Sequence, residues 1–224
     1  MQNPEDPSAR PDPAALDPAA LGAVTLLAEV DHRVKNNLQL VASMILLQHR
    51  RTEDEAARRA LKSVLERVNA VATVHRRLFQ GDPHRFDIAD FLRDLTSDLA
   101  GSAGRDDLQI TLDLTPVAIP ASSAAAFALV ASELLGNALR HAYPAGQGGR
   151  IAVALSDGDG VCTLTIADDG VGMGGAPAGF GLTIAGLLAK QLHAPLEITS
   201  NDPQAGNGGT RATLKIPMQR DGAV

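Results

Sequence analysis

One cysteine, one tyrosine and no tryptophan stand in 224 residues, and each scarcity excludes something. A lone thiol, Cys162, can form no disulfide within the chain and no cysteine-rich metal site, so it is expected to fill core space. Aromatics at 3% leave the core to Ala, Leu, Val and Ile, and are poor material for stacking bases or sugars. Positive charge is also short. The 20 Lys and Arg against 26 Asp and Glu give a formal net charge of -6, the opposite of a nucleic-acid-binding footprint. No charged segment leads into an apolar one at the start, so no secretory signal is expected. The longest uncharged run, 115–132, is broken by Pro116 and Pro120 and diluted with serine, so it does not read as a membrane span. The expectation is a cytoplasmic protein with neither a membrane nor a nucleic acid as partner.

What is present is a globular composition, 45% hydrophobic, at a length suited to one or two domains. Residues 1–21 are proline-rich and nearly free of large apolar groups, so burial cannot offset the entropy of ordering them. A disordered tail is expected there, and another short tail at 219–224. From 22 to 50 apolar residues recur at steps of three and four: Leu27, Val30, Val34, Asn37 or Leu38, Val41, Met44 or Ile45, Gln48. Thr52 then offers an N-cap, with Glu55 as its capping-box partner. A second seam follows through Ala57, Leu61, Val64, Val68, Val71, His75 and Leu78. Two helices so closely connected fold back as an antiparallel hairpin over 22–80. A lone hairpin leaves a stripe exposed on each helix, so a homodimer pairing two hairpins into a four-helix bundle is expected. His32 lies two residues from both Val30 and Val34, about 200° around the helix from each, and is expected to face outward.

The turn-rich "QGDPHRFD" marks a boundary. Beyond it, over 86–218, helical and period-two segments give an α+β fold: helices "DIADFLRDLTSDLA", "SAAAFALVASELLGNALRHA" and "FGLTIAGLLAKQL", and strands "LQITLDL", "RIAVALSD", "VCTLTIAD", "PLEITS" and "GTRATLKIP". Three motifs occur in order. In "ELLGNALRHA", Glu133, Asn137 and either Arg140 or His141 share a helix face. An acid, an amide and a cation there suit a phosphate chain with bound Mg²⁺, which wants oxygen ligands, though a solvated face would look the same. In "DDGVGM", Asp168 ends an apolar strand, and Gly170 and Gly172 let the backbone turn close to a flat ligand. In "GFGL", Gly179 and Gly181 open a helix, where backbone N–H groups face outward.

Read together, and with "GGT" at 208–210, these motifs resemble the GHKL ATP-binding fold of histidine kinases, type II topoisomerases and Hsp90-like chaperones over roughly 86–217. The resemblance implies ATP and Mg²⁺. Asn137 would coordinate the metal, Asp168 would hold the adenine amine, and Gly170 and Gly172 would shape the adenine pocket. Gly179 and Gly181, in the motif that Leu182 completes, would hinge a lid over the phosphates. Thr210 would support the adenine through water, and Glu133 has a role that differs between branches of the superfamily. Upstream, "DHRVKNNLQL" resembles the dimerisation and phosphoacceptor helix of HisKA_2-class histidine kinases, with its H-R-x-x-N pattern. The related HWE class is named partly for a Trp-x-Glu motif, and this chain has no Trp. The short stretch between Gly172 and Gly179 lacks the Phe-rich box of most classical kinases, which fits these atypical classes.

The implied chemistry is attack of the neutral His32 imidazole on the γ-phosphate of ATP, then transfer to an aspartate of a response regulator receiver domain. Classical kinases place an acid just after the histidine, where this chain has Arg33, so Asp31 or Glu29 is expected to take that role. Asn36, one turn beyond His32, is a candidate for bonding the incoming phosphoryl group. The signal would then come either from a sensor domain outside this sequence or from a separate sensor protein. The alternative is an ATP-independent phosphotransferase that shuttles phosphate between receiver domains through His32, and a GHKL serine kinase acting as an anti-sigma switch ranks behind both.

Overall fold

Two long helices open the computed structural model, which describes residues 18–80, 82, 84–144, 146–172, 179–200 and 208–218, with side chains from Arg33 onward except at 79 and 80. Helices α1 (Pro18–Arg51) and α2 (Glu55–Gln80) pack on each other as the expected hairpin. Residues 18–21 are helical rather than tail, while 1–17 and 219–224 lie outside the described residues. The cap also differs from expectation. Asp54, directly before α2, accepts from the Ala57 amide at 2.6 Å, while the Thr52 hydroxyl turns back to the Gln48 carbonyl at 2.8 Å and closes α1 instead.

The α1 seam follows Val34, Leu38, Ala42, Ile45 and His49, all half-buried. Val41 and Gln48, expected on it, are exposed, and of the alternatives Met44 and Ile45 it is Ile45 that lies on the seam. The run from Leu38 to Leu47 is apolar on nearly every side, so periodicity offers adjacent stripes, and small Ala42 marks the one α2 covers. Helix α2 is covered on two faces. One lies on α1; the other, through buried Ala70 and Val74, packs on the second half of the same chain. The second stripe of α2 therefore finds its cover within the chain, while the α1 stripe of Leu40, Val41, Met44 and Leu47 is exposed.

Beyond the hairpin come β1 (Arg85–Asp87), α3 (Ile88–Ala103), β2 (Leu108–Leu114), β3 (Ala118–Pro120), α4 (Ala121–His141), β4 (Gly149–Gly158), β5 (Val161–Asp168), α5 (Phe180–Gln191), β6 (Leu196–Ser200) and β7 (Thr210–Pro217). Every element expected over 86–218 is present, and the short antiparallel pair β1–β3 is added. The main sheet has the order β2-β4-β5-β7-β6, with β2 and β4 parallel and the other pairings antiparallel. Parallel neighbours need a crossover, and α4 supplies it. Asp87 caps α3 by accepting from the Asp90 amide at 2.9 Å, and Gly104 ends that helix in the left-handed conformation with φ 61°.

One sheet face carries Ile151, Val153, Leu155, Leu164, Ile166, Leu214 and Ile216 into the core against the helices. Cys162 is fully buried there as expected, and burial pushes its thiol up to about 12. The few aromatics concentrate at one point. Phe86 and Phe91 lie 5.4 Å apart and Phe91 meets Phe127 edge-on at 6.3 Å, all essentially buried where β1, α3 and α4 converge. Helix α4 is the central strut, and it is long and apolar enough to cross a membrane by length and composition, yet 72% of its most apolar window is buried inside the fold.

Candidate nucleotide site

Asp168 ends β5 and is nearly buried, at 5% exposure. Its Oδ1 accepts from the amides of Gly170 at 3.1 Å and Thr210 at 3.0 Å, so backbone from two segments fixes the carboxylate. Burial raises its pKa above the usual carboxylate value, and the two amides pull the other way. Asp169 anchors the same turn. Its Oδ1 accepts from the Tyr143 hydroxyl at 2.7 Å and from the Arg150 amide at 2.8 Å, and these bonds hold its pKa low. The Tyr143 hydroxyl also lies 2.6 Å from the Arg150 carbonyl, so its single proton serves two acceptors. The Val171 amide donates to the Ala142 carbonyl at 2.8 Å, pulling the turn onto the end of α4. At Gly170 a Cβ would run into that carbonyl, and at Gly209 into the Asp168 carbonyl, so both glycines are required by close approach of the backbones.

The other wall is α4. Glu133 is 3% exposed and Asn137, one turn on, is half-buried. Asn137 Nδ2 is buried with no hydrogen-bond partner among the described residues, an orphaned amide at the point where a polar ligand would arrive. Glu133 is ion-paired with Arg67 of α2. The Arg67 guanidinium also lies 5.6 Å from the centre of the Phe180 ring, at the start of α5. At Gly181 a Cβ would strike the Glu133 carboxylate, so the glycine admits the start of α5 against α4. One residue back on α2, Glu66 pairs with Arg140 at 2.6 Å. Arg140 folds across Gly136, where a Cβ would lie 2.7 Å from its guanidinium. Thus α2 and α4 exchange charges in both directions.

A carboxylate presented between two backbones, an unpartnered amide and a buried acid one turn before it are groups able to meet a polar ligand. Residues 29–103 match the histidine kinase model HisKA_2, and residues 123–220 match the model of histidine kinase-, DNA gyrase B- and HSP90-like ATPases. The chain thus carries a HisKA_2 segment followed by an ATPase segment of the kind that histidine kinases share with DNA gyrase B and HSP90. The sensor histidine kinase PdtaS of Mycolicibacterium smegmatis is 31% identical over 212 residues, covering 91% of this chain and 42% of that protein. Blue-light-activated histidine kinase 2 of Erythrobacter litoralis is 27% identical over 205 residues, covering 87% of this chain and 57% of that one. Among solved structures, the histidine kinase domain of the Erythrobacter litoralis EL346 blue-light activated histidine kinase aligns with a TM-score of 0.63 at 27% identity, covering 86% of this chain and 93% of that one. The chain spans about half the length of the curated relatives it matches.

The fold brings Asp168, Gly170, Gly172 and Thr210 together at the end of β5, sets Gly181 against Glu133 one turn before Asn137 on α4, and caps the N-terminus of α5 with Gly179 beside half-buried Leu182. The Thr210 backbone amide is bonded to Asp168. Of the two alternatives one turn past Asn137, Arg140 is engaged with Glu66, and His141 is exposed with a pKa lowered by partial burial and by Arg140. The segment 173–178, and with it the expected short lid, lies outside the described residues, as do the side chains of Glu29, Asp31 and His32. Their backbones, with that of Asn36, lie in α1. Sequence reasoning missed Arg67, Glu66, Tyr143 and Asp169. Tyr143 had a signal as the only tyrosine, and Asp169 as the second acid of "DDG"; the two α2 charges had none, because nothing in a helical charge pattern tells which partner faces it.

Proposed function

We propose that this protein is an ATP-dependent histidine kinase that phosphorylates itself on His32 and passes the phosphoryl group to an aspartate of a response regulator receiver domain. The observation that carries it is Asp168, held ready between the Gly170 and Thr210 amides, in a chain whose hairpin carries the H-R-x-x-N pattern. Asp168 accepts from the exocyclic amine of adenine, a contact that a base lacking that donor cannot make. Asn137, with Glu133 one turn away, would hold Mg²⁺ through oxygen, and the metal supplies charge neutralisation along the phosphates. The imidazole of His32 attacks the γ-phosphorus in line, a bond forms from nitrogen to phosphorus, and the bond to the oxygen bridging the β-phosphate breaks. Glu29 or Asp31 orients the other ring nitrogen and receives its proton, and Asn36 bonds the arriving phosphoryl oxygens. Residues 22–80 would be the phosphotransfer unit and 86–218 the ATP-binding unit, in a cytoplasmic homodimer joined through the exposed α1 stripe.

The test is incubation with Mg²⁺ and γ-labelled ATP beside a His32→Ala control. Acid-labile, base-stable label that is absent from the control is expected. No label, together with transfer to His32 from a phosphorylated receiver domain, would make the chain an ATP-independent phosphotransferase.

A further inference from the structure

Glu133, on α4, is the most buried carboxylate among the described residues, and its charge is met from another part of the chain. At 3% exposure an unpaired carboxylate would carry a desolvation penalty of several kcal/mol, so it needs a cation. Arg67 supplies one across the α2–α4 boundary, itself only 16% exposed on its side chain and lying against Phe180. Asn137, whose amide is orphaned, follows one turn later on α4. The guanidinium therefore occupies the place where the charged end of a nucleotide and its divalent cation would meet α4. Two cations cannot share one buried carboxylate at contact distance without strong repulsion.

The position along the hairpin adds a second observation. The turn lies between Arg51 and Glu55, so Arg67 stands level with Gln39, and the His32 backbone level with Val74. Seven residues at 1.5 Å each separate those levels by about 10 Å. While Arg67 holds Glu133, the α4 wall of the nucleotide site is fastened to α2 at a level well short of the phosphoacceptor. Glu66–Arg140 and the Lys62 ammonium on the Ser102 carbonyl at 3.1 Å fasten the same side.

Building on the ATP-binding reading, we propose that Arg67 is a positioning residue: a resident counter-ion of Glu133 that yields its place to the nucleotide's divalent cation, so that nucleotide loading and release of α2 from α4 are one exchange. Both Arg67 and the metal satisfy the same carboxylate, so each weakens the other's hold. Replacing Arg67 with a neutral residue should then tighten binding of the metal-loaded nucleotide, the reverse of what loss of a phosphate-binding arginine or of a merely structural arginine would do.

The experiment titrates the full chain with ADP, in Mg²⁺ and in EDTA, for wild type, Arg67→Gln and Arg67→Lys. Arg67→Gln should tighten Mg²⁺–ADP at least about fivefold, with a smaller gain in EDTA, and Arg67→Lys should restore the wild-type value. A second readout leaves Arg67 in place. Lys62→Cys with Ser102→Cys puts two thiols across the fastened side while Cys162 is buried, and Mg²⁺–ADP should slow their joining by a short bifunctional maleimide. Weaker or unchanged binding in Arg67→Gln, an equal gain in EDTA, or crosslinking indifferent to Mg²⁺–ADP would each overturn the exchange. Wild type that binds ADP while those results fail sinks the exchange alone. Absence of nucleotide binding in every form sinks the ATP-binding reading as well.

Discussion

The two ends of the candidate site are held in different ways. At Asp168 the supports come from the α/β part itself: amides of Gly170 and Thr210 on the carboxylate, and Tyr143 and the Arg150 amide on the neighbouring Asp169. At Glu133 and Arg140 the partners are Arg67 and Glu66 of α2, side chains of the hairpin. Backbone amides inside a sheet-and-helix core are set once the fold forms, and they pre-organise the base-binding end. A buried carboxylate paired to a long side chain from another packed part can change partners when an incoming cation replaces the one that leaves. One end is built to be constant and the other to respond.

That contrast breaks most visibly at the constant end. Asp168→Asn keeps the shape but turns an anionic acceptor into a neutral amide, and nucleotide affinity should fall by about 100-fold in calorimetric titration, against a small change in melting temperature. The same carboxylate gives a pH test. Its folded pKa is raised above the ordinary 3.8, so ATP affinity should fall as pH drops through that raised value, earlier than for an unshifted acid. Its stability contribution runs the other way: present below 3.8 and lost as pH rises through the raised value. Asp169, with its pKa lowered, contributes stability above 3.8 that is lost as pH falls through its depressed value. Affinity and stability measured together from neutral to acidic pH should therefore diverge.

Tyr143→Phe comes next. It removes the proton that Asp169 and the Arg150 carbonyl share, and should lower unfolding free energy by about 1–2 kcal/mol in chemical denaturation. The smallest effect belongs to the responsive end. Glu66→Gln breaks a partly exposed ion pair and should cost no more than about 1 kcal/mol, with the base-binding end intact. A large loss there would show the hairpin contact to be as rigid as the core and would erase the contrast.

Much of this was legible beforehand because short-range patterns carry it. Period-two runs marked the strands of the main sheet, and four ordered glycine- and acid-bearing motifs picked out Asn137, Asp168, Gly170 and Gly181 as candidates. The misses have physical causes. The β1–β3 pair spans only three residues a side, too few to show alternation. Asp54 and Thr52 are both capping residues, and the point at which the chain re-enters the helix decides between them. On α1 an apolar run broad enough for two stripes left the choice between Val41 and Ala42 to the partner helix.

By itself the sequence determined the order of elements, the hairpin, and the residue types able to meet a nucleotide, because turn chemistry, hydrophobic period and motif spacing act within a few residues of one another. Only the tertiary structure decided that Glu133 and Arg140 face Arg67 and Glu66, that Tyr143 clamps Asp169, and that the second stripe of α2 is covered by its own chain. Those contacts join residues 26 to 74 positions apart, and a charge or an apolar face carries no label for its distant partner until packing brings the two together.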